Sequence, residues 1–235
     1  MYFYGLKKVT LIDYPGKIAC AVFTHGCSLR CPYCHNPELV TGNPNKLEPL
    51  TQKELTAFLT KRISKLDGIV FTGGEPLMHH MELLPLLKTI KRLGLLIKFD
   101  TNGTYPSALR SLIQKKVVDY IAMDVKTSLS RYQEMGASPT AIQSIQQSLS
   151  LLTASHVPYE LRTTLVPGMH TPAVLHEMGS IIKSAERYAL QNFIPSTTLD
   201  TSFSNIQPFT HKEMKVFHAI ARSYNPETIL HDQQL

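Results

Sequence analysis

The sequence predicts an α/β protein, an open partial (β/α)6 barrel of the TIM-like kind with parallel strands inside and helices outside. From position 51 to 194 short apolar runs alternate with stretches of helical period, and repeated strand–helix units imply a parallel sheet with right-handed crossovers. Six such units are counted, too few to close an eight-stranded barrel. The unusual residues fall where the apolar runs stop, and barrels of this kind place their active sites at the carboxyl ends of the strands.

Composition sets the outer bounds. A chain of 235 residues with 43% hydrophobic and 18% charged residues can bury one substantial core, so a single domain over 1–235 is expected. No apolar run reaches the roughly 18 residues of a membrane span. Positions 1–8 lack the apolar region and cleavage site of an export signal, which makes a cytoplasmic location the expectation. The net charge of +6 is dispersed in pairs such as Lys7-Lys8, Lys61-Arg62 and Lys115-Lys116. Without a basic stripe or a recognition motif, nucleic acid is not an expected partner, and solvated helix faces account for the charge.

In chain order, positions 5–17 read as an opening strand closed by the Pro15-Gly16 turn, before the apolar run 18–23. Positions 24–49 form a loop that begins with cysteines and continues rich in Pro, Asn and Gly. Thr51 and Glu54 resemble a capping box opening a helix to about 64, followed by a strand at 68–71. A helix at 79–93 precedes a strand at 95–99, and a helix at 107–115 precedes a strand at 118–123. The helix 140–154 leads to a strand at 159–165, and the helix 172–189 leads to one at 191–194. A closing helix at 210–223 and a loose tail at 225–235 end the chain.

The loop holds Cys27, Cys31 and Cys34 within eight residues, with Tyr33 before the last thiol. A disulfide framework needs pairs and an oxidising compartment, so a metal is the better reading. Compact thiolate loops hold iron–sulfur clusters, and three ligands on a four-iron cube leave one iron open. A zinc knuckle of three cysteines and one histidine, completed by His25 or His35, is the other arrangement. Cys20 lies inside the apolar run and reads as a small buried hydrophobe.

Four constellations sit at strand ends. Thr72-Gly73-Gly74-Glu75-Pro76 lets backbone approach a ligand closely and supplies a carboxylate for an ammonium group; blandly, it is a turn with a capping Glu. Asp100-Thr101-Asn102-Gly103 is a good turn sequence, and Met123-Asp124-Val125-Lys126 reads blandly as a surface ion pair. Arg162 offers a planar fork to a carboxylate or serves as a structural ion-pair partner, two readings of equal weight. His170, after Val166-Pro167-Gly168-Met169, reads as a capping or surface histidine.

The Cys-x3-Cys-x2-Cys spacing with its aromatic residue, followed in order by Gly73-Gly74-Glu75-Pro76, resembles the radical S-adenosylmethionine (SAM) enzymes. That resemblance implies a [4Fe-4S] cluster on Cys27, Cys31 and Cys34, with SAM as second cofactor cleaved to methionine and a 5′-deoxyadenosyl radical. It implies that Gly73, Gly74 and Glu75 bind the methionyl amino group and that Tyr33 shields the cluster near the adenine. The pairing of Asp-Thr-Asn-Gly with Met-Asp-x-Lys is similar to the pattern in activating enzymes of glycyl radical enzymes. There the matching positions line the SAM pocket, which would place Asp100, Asn102, Asp124 and Lys126 around SAM, with Lys126 among the catalytic set; Arg162, in its carboxylate-binding reading, would join them. Asp100, Thr101, Met123 and Asp124 would frame a monovalent cation.

Segments 11–17, 31–38 and 198–200 resemble the longer form of anaerobic ribonucleoside-triphosphate reductase activating proteins. The implied partners are a large glycyl radical enzyme, as protein substrate, and an electron donor such as flavodoxin or ferredoxin. Ile194 departs from the basic residue expected before Pro195, leaving another glycyl radical enzyme open as partner. A radical SAM enzyme acting on a small molecule or peptide, and a zinc-binding interaction module, are the alternatives. With no second cysteine set, no auxiliary cluster is expected.

Overall fold

The computed structural model describes residues 1–41 and 49–231, which divide into two compact units. The first comprises Met1–Ser28, Glu38–Thr101 and Tyr105–Ile121; the second comprises Leu29–Pro37, Asn102–Thr104 and Ala122–Leu235.

In the first unit a short antiparallel pair, β1 (Tyr2–Phe3) and β4 (Leu50–Thr51), accompanies a sheet of four strands. That sheet runs β2 (Leu6–Thr10), β3 (Ala19–Thr24), β5 (Gly68–Gly73), β6 (Leu96–Thr101). β3, β5 and β6 are parallel, with Thr24 level with Gly73 and Phe71 level with Phe99. β2 is antiparallel to β3 and forms an edge whose Lys7, Lys8 and Val9 face solvent. Near-continuous apolar runs such as Ala19-Cys20-Ala21-Val22 are buried, as parallel strands covered on both faces require. α1 (Pro37–Thr41), α2 (Gln52–Arg62), α3 (His80–Arg92) and α4 (Pro106–Gln114) complete this unit's helices. α3 buries Leu83, Leu86, Leu87 and Ile90, the stripe that a 3.6-residue period turns inward. The expected capping box is present at the start of α2, where Thr51 and Glu54 exchange hydrogen bonds.

Two expectations fail here. The opening strand stops at Thr10, because its hydroxyl accepts the backbone N–H groups of Ile12 and Asp13 and turns the chain. The Lys17 N–H then donates to the Tyr14 carbonyl around Gly16, which has a positive φ of 67°. The loop expected over 24–49 contains α1, tied to Gly26 by a bond from its N–H to the Leu39 carbonyl; positions 42–48 lie outside the described residues.

In the second unit the end of β7 (Tyr120–Asp124), β8 (Tyr159–Leu165), β9 (Tyr188–Asn192) and β10 (Thr228–His231) follow in order. β8, β9 and β10 are parallel. A 3-10 turn over Leu129–Met135, absent from the sequence reading, precedes α5 (Pro139–Thr153).

The helix expected at 172–189 is two short ones, α6 (Pro172–Glu177) and α7 (Gly179–Ser184). Ala185 turns to extended backbone, so Tyr188 and Ala189 join β9 and the strand lies three residues earlier than expected. Gly179 leaves room for the Tyr224 ring of α8 (His211–Tyr224), which a side chain there would strike. The tail is not loose through position 231. The Asn225 amide donates to the Ile182 and Ala185 carbonyls at 3.1 and 2.7 Å, and β10 then pairs along β9; positions 232–235 lie outside the described residues.

Candidate functional site

In the first unit, β3 runs directly into His25-Gly26-Cys27, and the end of β5 is bonded to that segment. The Gly74 N–H donates to the Thr24 carbonyl at 2.9 Å and the Glu75 N–H to the Gly26 carbonyl at 2.7 Å. Gly73 has a φ of +109°, and a Cβ there would lie 2.5 Å from the Thr24 nitrogen; at Gly74 it would land on the Gly26 carbonyl oxygen. These glycines therefore let two backbone segments touch.

Glu75 is fully buried, and one carboxylate oxygen accepts from the Leu77 N–H at 3.0 Å and the Thr101 hydroxyl at 2.9 Å. It thus caps the 3-10 turn Pro76–His79, so the bland reading of Glu75 holds as a local fact. Asp100 receives the buried Lys98 ammonium at 2.6 Å. Burial raises the Tyr105 phenol, and the charges of Glu75 and Cys27 push the same way. Cys20 has no exposed surface, and burial pushes its thiol up to about 12, consistent with exclusion from the ligand set.

In the second unit, Cys31 to Cys34 form a turn in which the Cys34 N–H meets the Cys31 carbonyl at 3.0 Å. Three backbone bonds hold that turn: Arg30 N–H to the Met135 carbonyl, Leu199 N–H to the Cys34 carbonyl, and Asp200 N–H to the Pro32 carbonyl, at 2.8, 3.1 and 2.9 Å. The segment 198–200 is therefore a clasp on the cysteine turn. Cys31 is buried and Cys34 half-buried, and the His35 ring stacks on Phe193 with centroids 5.3 Å apart. Tyr33 is 5% exposed, and among the described residues its buried hydroxyl has no hydrogen-bond partner. Burial raises that phenol well above its ordinary range, with Cys31 adding to the effect and Lys126 opposing it.

The Asp124 carboxylate is gripped from both sides, by the Lys126 ammonium and by the Arg162 Nε, each at 2.9 Å. Burial alone would raise the Asp124 pKa, but Arg162 and Lys126 outweigh it and hold the carboxyl well below its usual range. Burial likewise works against the Lys126 charge, and Asp124 more than offsets it. Two cations on one carboxylate leave a local charge of +1. Asn102 makes the expected Asx turn, its side-chain oxygen accepting from the Thr104 N–H and hydroxyl at 3.0 and 2.7 Å. Met123 is fully buried, its methyl packed where a Gly103 side chain would be.

Two further residues act on Lys126. Tyr132, unnoticed in the sequence, accepts the Lys126 N–H on its buried hydroxyl at 2.9 Å. His170 corrects its surface or capping reading: it is 3% exposed, its Nδ1 accepts from the Val166 N–H at 3.0 Å and its Nε2 faces the Lys126 carbonyl at 2.9 Å. Neither carries a local sequence signal for its bond to Lys126, which lies outside the turn that holds each of them. Among the described residues no three His, Cys, Asp or Glu side chains are grouped as for a single metal ion.

The residues fit an iron–sulfur group and a zwitterionic ligand. None of the four cysteines is in a disulfide, and three of them lie in one eight-residue stretch. The +1 charge at Asp124, Lys126 and Arg162 suits a carboxylate, and the orphaned Tyr33 hydroxyl suits a polar neighbour.

An α/β sheet of parallel strands with a thiolate loop after the first of them defines an iron–sulfur enzyme. The Radical SAM superfamily model matches residues 21–172, more than half of the chain, and the chain belongs to that superfamily, whose cofactors are a [4Fe-4S] cluster and SAM. It is 29% identical over 230 residues to a provisionally named glycyl-radical enzyme activating enzyme of Methanocaldococcus jannaschii, covering 96% of this chain and 94% of that one. It is 34% identical over 127 residues to the pyruvate formate-lyase-activating enzyme of Clostridium pasteurianum, covering 52% and 51%. The crystal structure of Streptococcus suis SuiB superposes with a TM-score of 0.67 at 14% identity, over 89% of this chain and 48% of that one. That likeness is one of fold, a partial TIM-like barrel of parallel strands with outer helices. No helix among the described residues is long and apolar enough to cross a membrane.

Proposed function

We propose that this protein is a radical SAM activase that removes a hydrogen atom from a glycine of a large glycyl radical enzyme, with anaerobic ribonucleoside-triphosphate reductase as the partner. The observation that carries the reading is the near full-length match to an activating enzyme, 96% of one chain against 94% of the other. The Asp100-Thr101-Asn102-Gly103 and Met123-Asp124-Val125-Lys126 pairing, similar to the activase pattern, supports it.

In this reading Cys27, Cys31 and Cys34 hold the cluster, and the bound cofactors supply a 5′-deoxyadenosyl radical. Glu75 provides negative charge for an ammonium group. Lys126 and Arg162, held in place by Asp124, provide positive charge for a carboxylate. Asp100 and Asn102 are assigned to SAM by the same resemblance. The stacked His35 and Phe193 and the buried Tyr33 keep water away from the thiolates. A monovalent cation framed by Asp100, Thr101, Met123 and Asp124, a flavodoxin or ferredoxin as electron donor, and a cytoplasmic location belong to the same reading.

The test mixes reconstituted, reduced protein with SAM and the candidate reductase. A glycine-centred doublet in electron paramagnetic resonance, with 5′-deoxyadenosine formed in step, is expected. If 5′-deoxyadenosine instead depends on a small metabolite and no protein radical forms, the activase reading falls.

A further inference from the structure

In the segment Asp124-Val125-Lys126, the backbone N–H and carbonyl of both Val125 and Lys126 are each held. The Val125 N–H donates to the Arg162 carbonyl at 2.8 Å, and the Val125 carbonyl accepts from the Thr163 hydroxyl at 2.7 Å. The Lys126 N–H is taken by Tyr132, and its carbonyl faces His170 Nε2 at 2.9 Å. Because Nδ1 of His170 accepts an N–H, the proton of the neutral ring must sit on Nε2, so His170 donates to Lys126. The His170 N–H also bonds back to the Val166 carbonyl at 2.9 Å, which makes the ring a rigid strut between the turn 166–170 and Lys126.

We infer that His170 is a positioning residue, which fixes the Lys126 backbone so that the ammonium stays aimed at the carboxylate of SAM. The inference rests on the proposed placement of Lys126 in the SAM pocket. A side chain with four rotatable bonds keeps a set direction only if its root does not rock. His170 supplies one of the two side-chain contacts that hold that root, and Tyr132 the other.

The test measures SAM dissociation constants, iron content and thermal midpoints for anaerobically reconstituted full chains. His170→Asn keeps the acceptor for Val166 and loses the donor to Lys126. It is expected to weaken SAM binding roughly 5- to 10-fold, the scale of one hydrogen bond, with iron content unchanged. His170→Gln reaches as far as Nε2 and should return binding to within about twofold of wild type. In a Lys126→Ala background, itself weakened, His170→Asn should add nothing, since both act through one group. Equal losses of thermal midpoint in both His170 variants with unchanged SAM binding, or additive effects with Lys126→Ala, would overturn the inference while leaving the pocket intact. If Lys126→Ala binds SAM as wild type does, the placement of Lys126 fails and the inference with it, although radical formation on a partner glycine would still be observed.

Discussion

Replacing Gly74 by alanine places a methyl group on the Gly26 carbonyl oxygen, one residue before Cys27. The obstacle is backbone, so it cannot swing aside as a side chain would. Relief requires either segment to withdraw, which breaks the 2.7 Å bond from the Glu75 N–H to Gly26 and strains the 2.9 Å bond from Gly74 to Thr24. Overpacking costs about 1–3 kcal/mol and the lost hydrogen bond about 1 kcal/mol, giving roughly 2–4 kcal/mol in all. Domains of this kind have about 5–15 kcal/mol to lose, so the variant should still fold. Gly16→Ala is the control: its φ of +67° carries a left-handed penalty, but no atom lies within 4 Å of the new Cβ. Its expected cost is about 1–2 kcal/mol. Urea unfolding of the cluster-free chains, followed by far- and near-ultraviolet circular dichroism, compares the two. Iron uptake after reconstitution should fall for Gly74→Ala and not for Gly16→Ala. If Gly74→Ala is no less stable than Gly16→Ala and loads iron normally, the backbone contact is not what these glycines serve.

Two further outcomes are expected. Asp124→Asn leaves the Lys126 and Arg162 charges without their shared partner and should cost about 2–4 kcal/mol, the partial exposure of the pair placing it toward the lower end of buried-pair losses. Because the folded Asp124 pKa is depressed, its contribution is complete above the ordinary carboxylate value near 4 and disappears as pH falls below it. The gap between the stability curves of wild type and Asp124→Asn should therefore be constant above about pH 4 and shrink steadily as pH falls below it; a gap that does not shrink there would contradict the pairing. In cluster-free protein near pH 8, iodoacetamide should modify the half-buried Cys27 and Cys34 first, Cys31 more slowly and Cys20 not at all, as read by peptide mass spectrometry. Rapid modification of Cys20 would show that β3 opens readily.

Much of the fold was legible because its signals are local. Strand β5 carries the short apolar run Ile69-Val70-Phe71 before Gly73, β6 opens on Leu96-Ile97 and nears its end at Asp100, and Thr51 and Glu54 announce a helix start within four positions. Thr210 and Glu213 make the same capping box before α8. Failures came where distant residues decide. Nothing local ends the apolar period at Ser184; the chain leaves the helix because Tyr188 pairs with Leu161 and Asn225 takes up the carbonyls at the end of α7. β10 is four residues without alternation and exists because β9 offers an open edge. At the site, spacing gave the thiols, glycines and the Asp124–Lys126 pair, whereas Tyr132 and His170 are visible only once the chain brings them to Lys126.

The antiparallel β2 strand has a consequence for how copies of this chain meet in concentrated solution. A strand at the margin of a sheet presents unmatched amide and carbonyl groups, a template for another chain to zip onto. Here that margin carries the exposed Lys7 and Lys8, with Lys7 paired to Asp13 at 3.1 Å, and a register slip between Lys7 and Thr10 interrupts its pairing with β3. A second molecule approaching strand to strand would meet like charge and an irregular backbone. Edge-to-edge pairing would have to desolvate ammonium groups, a cost that works against fibril growth through this margin.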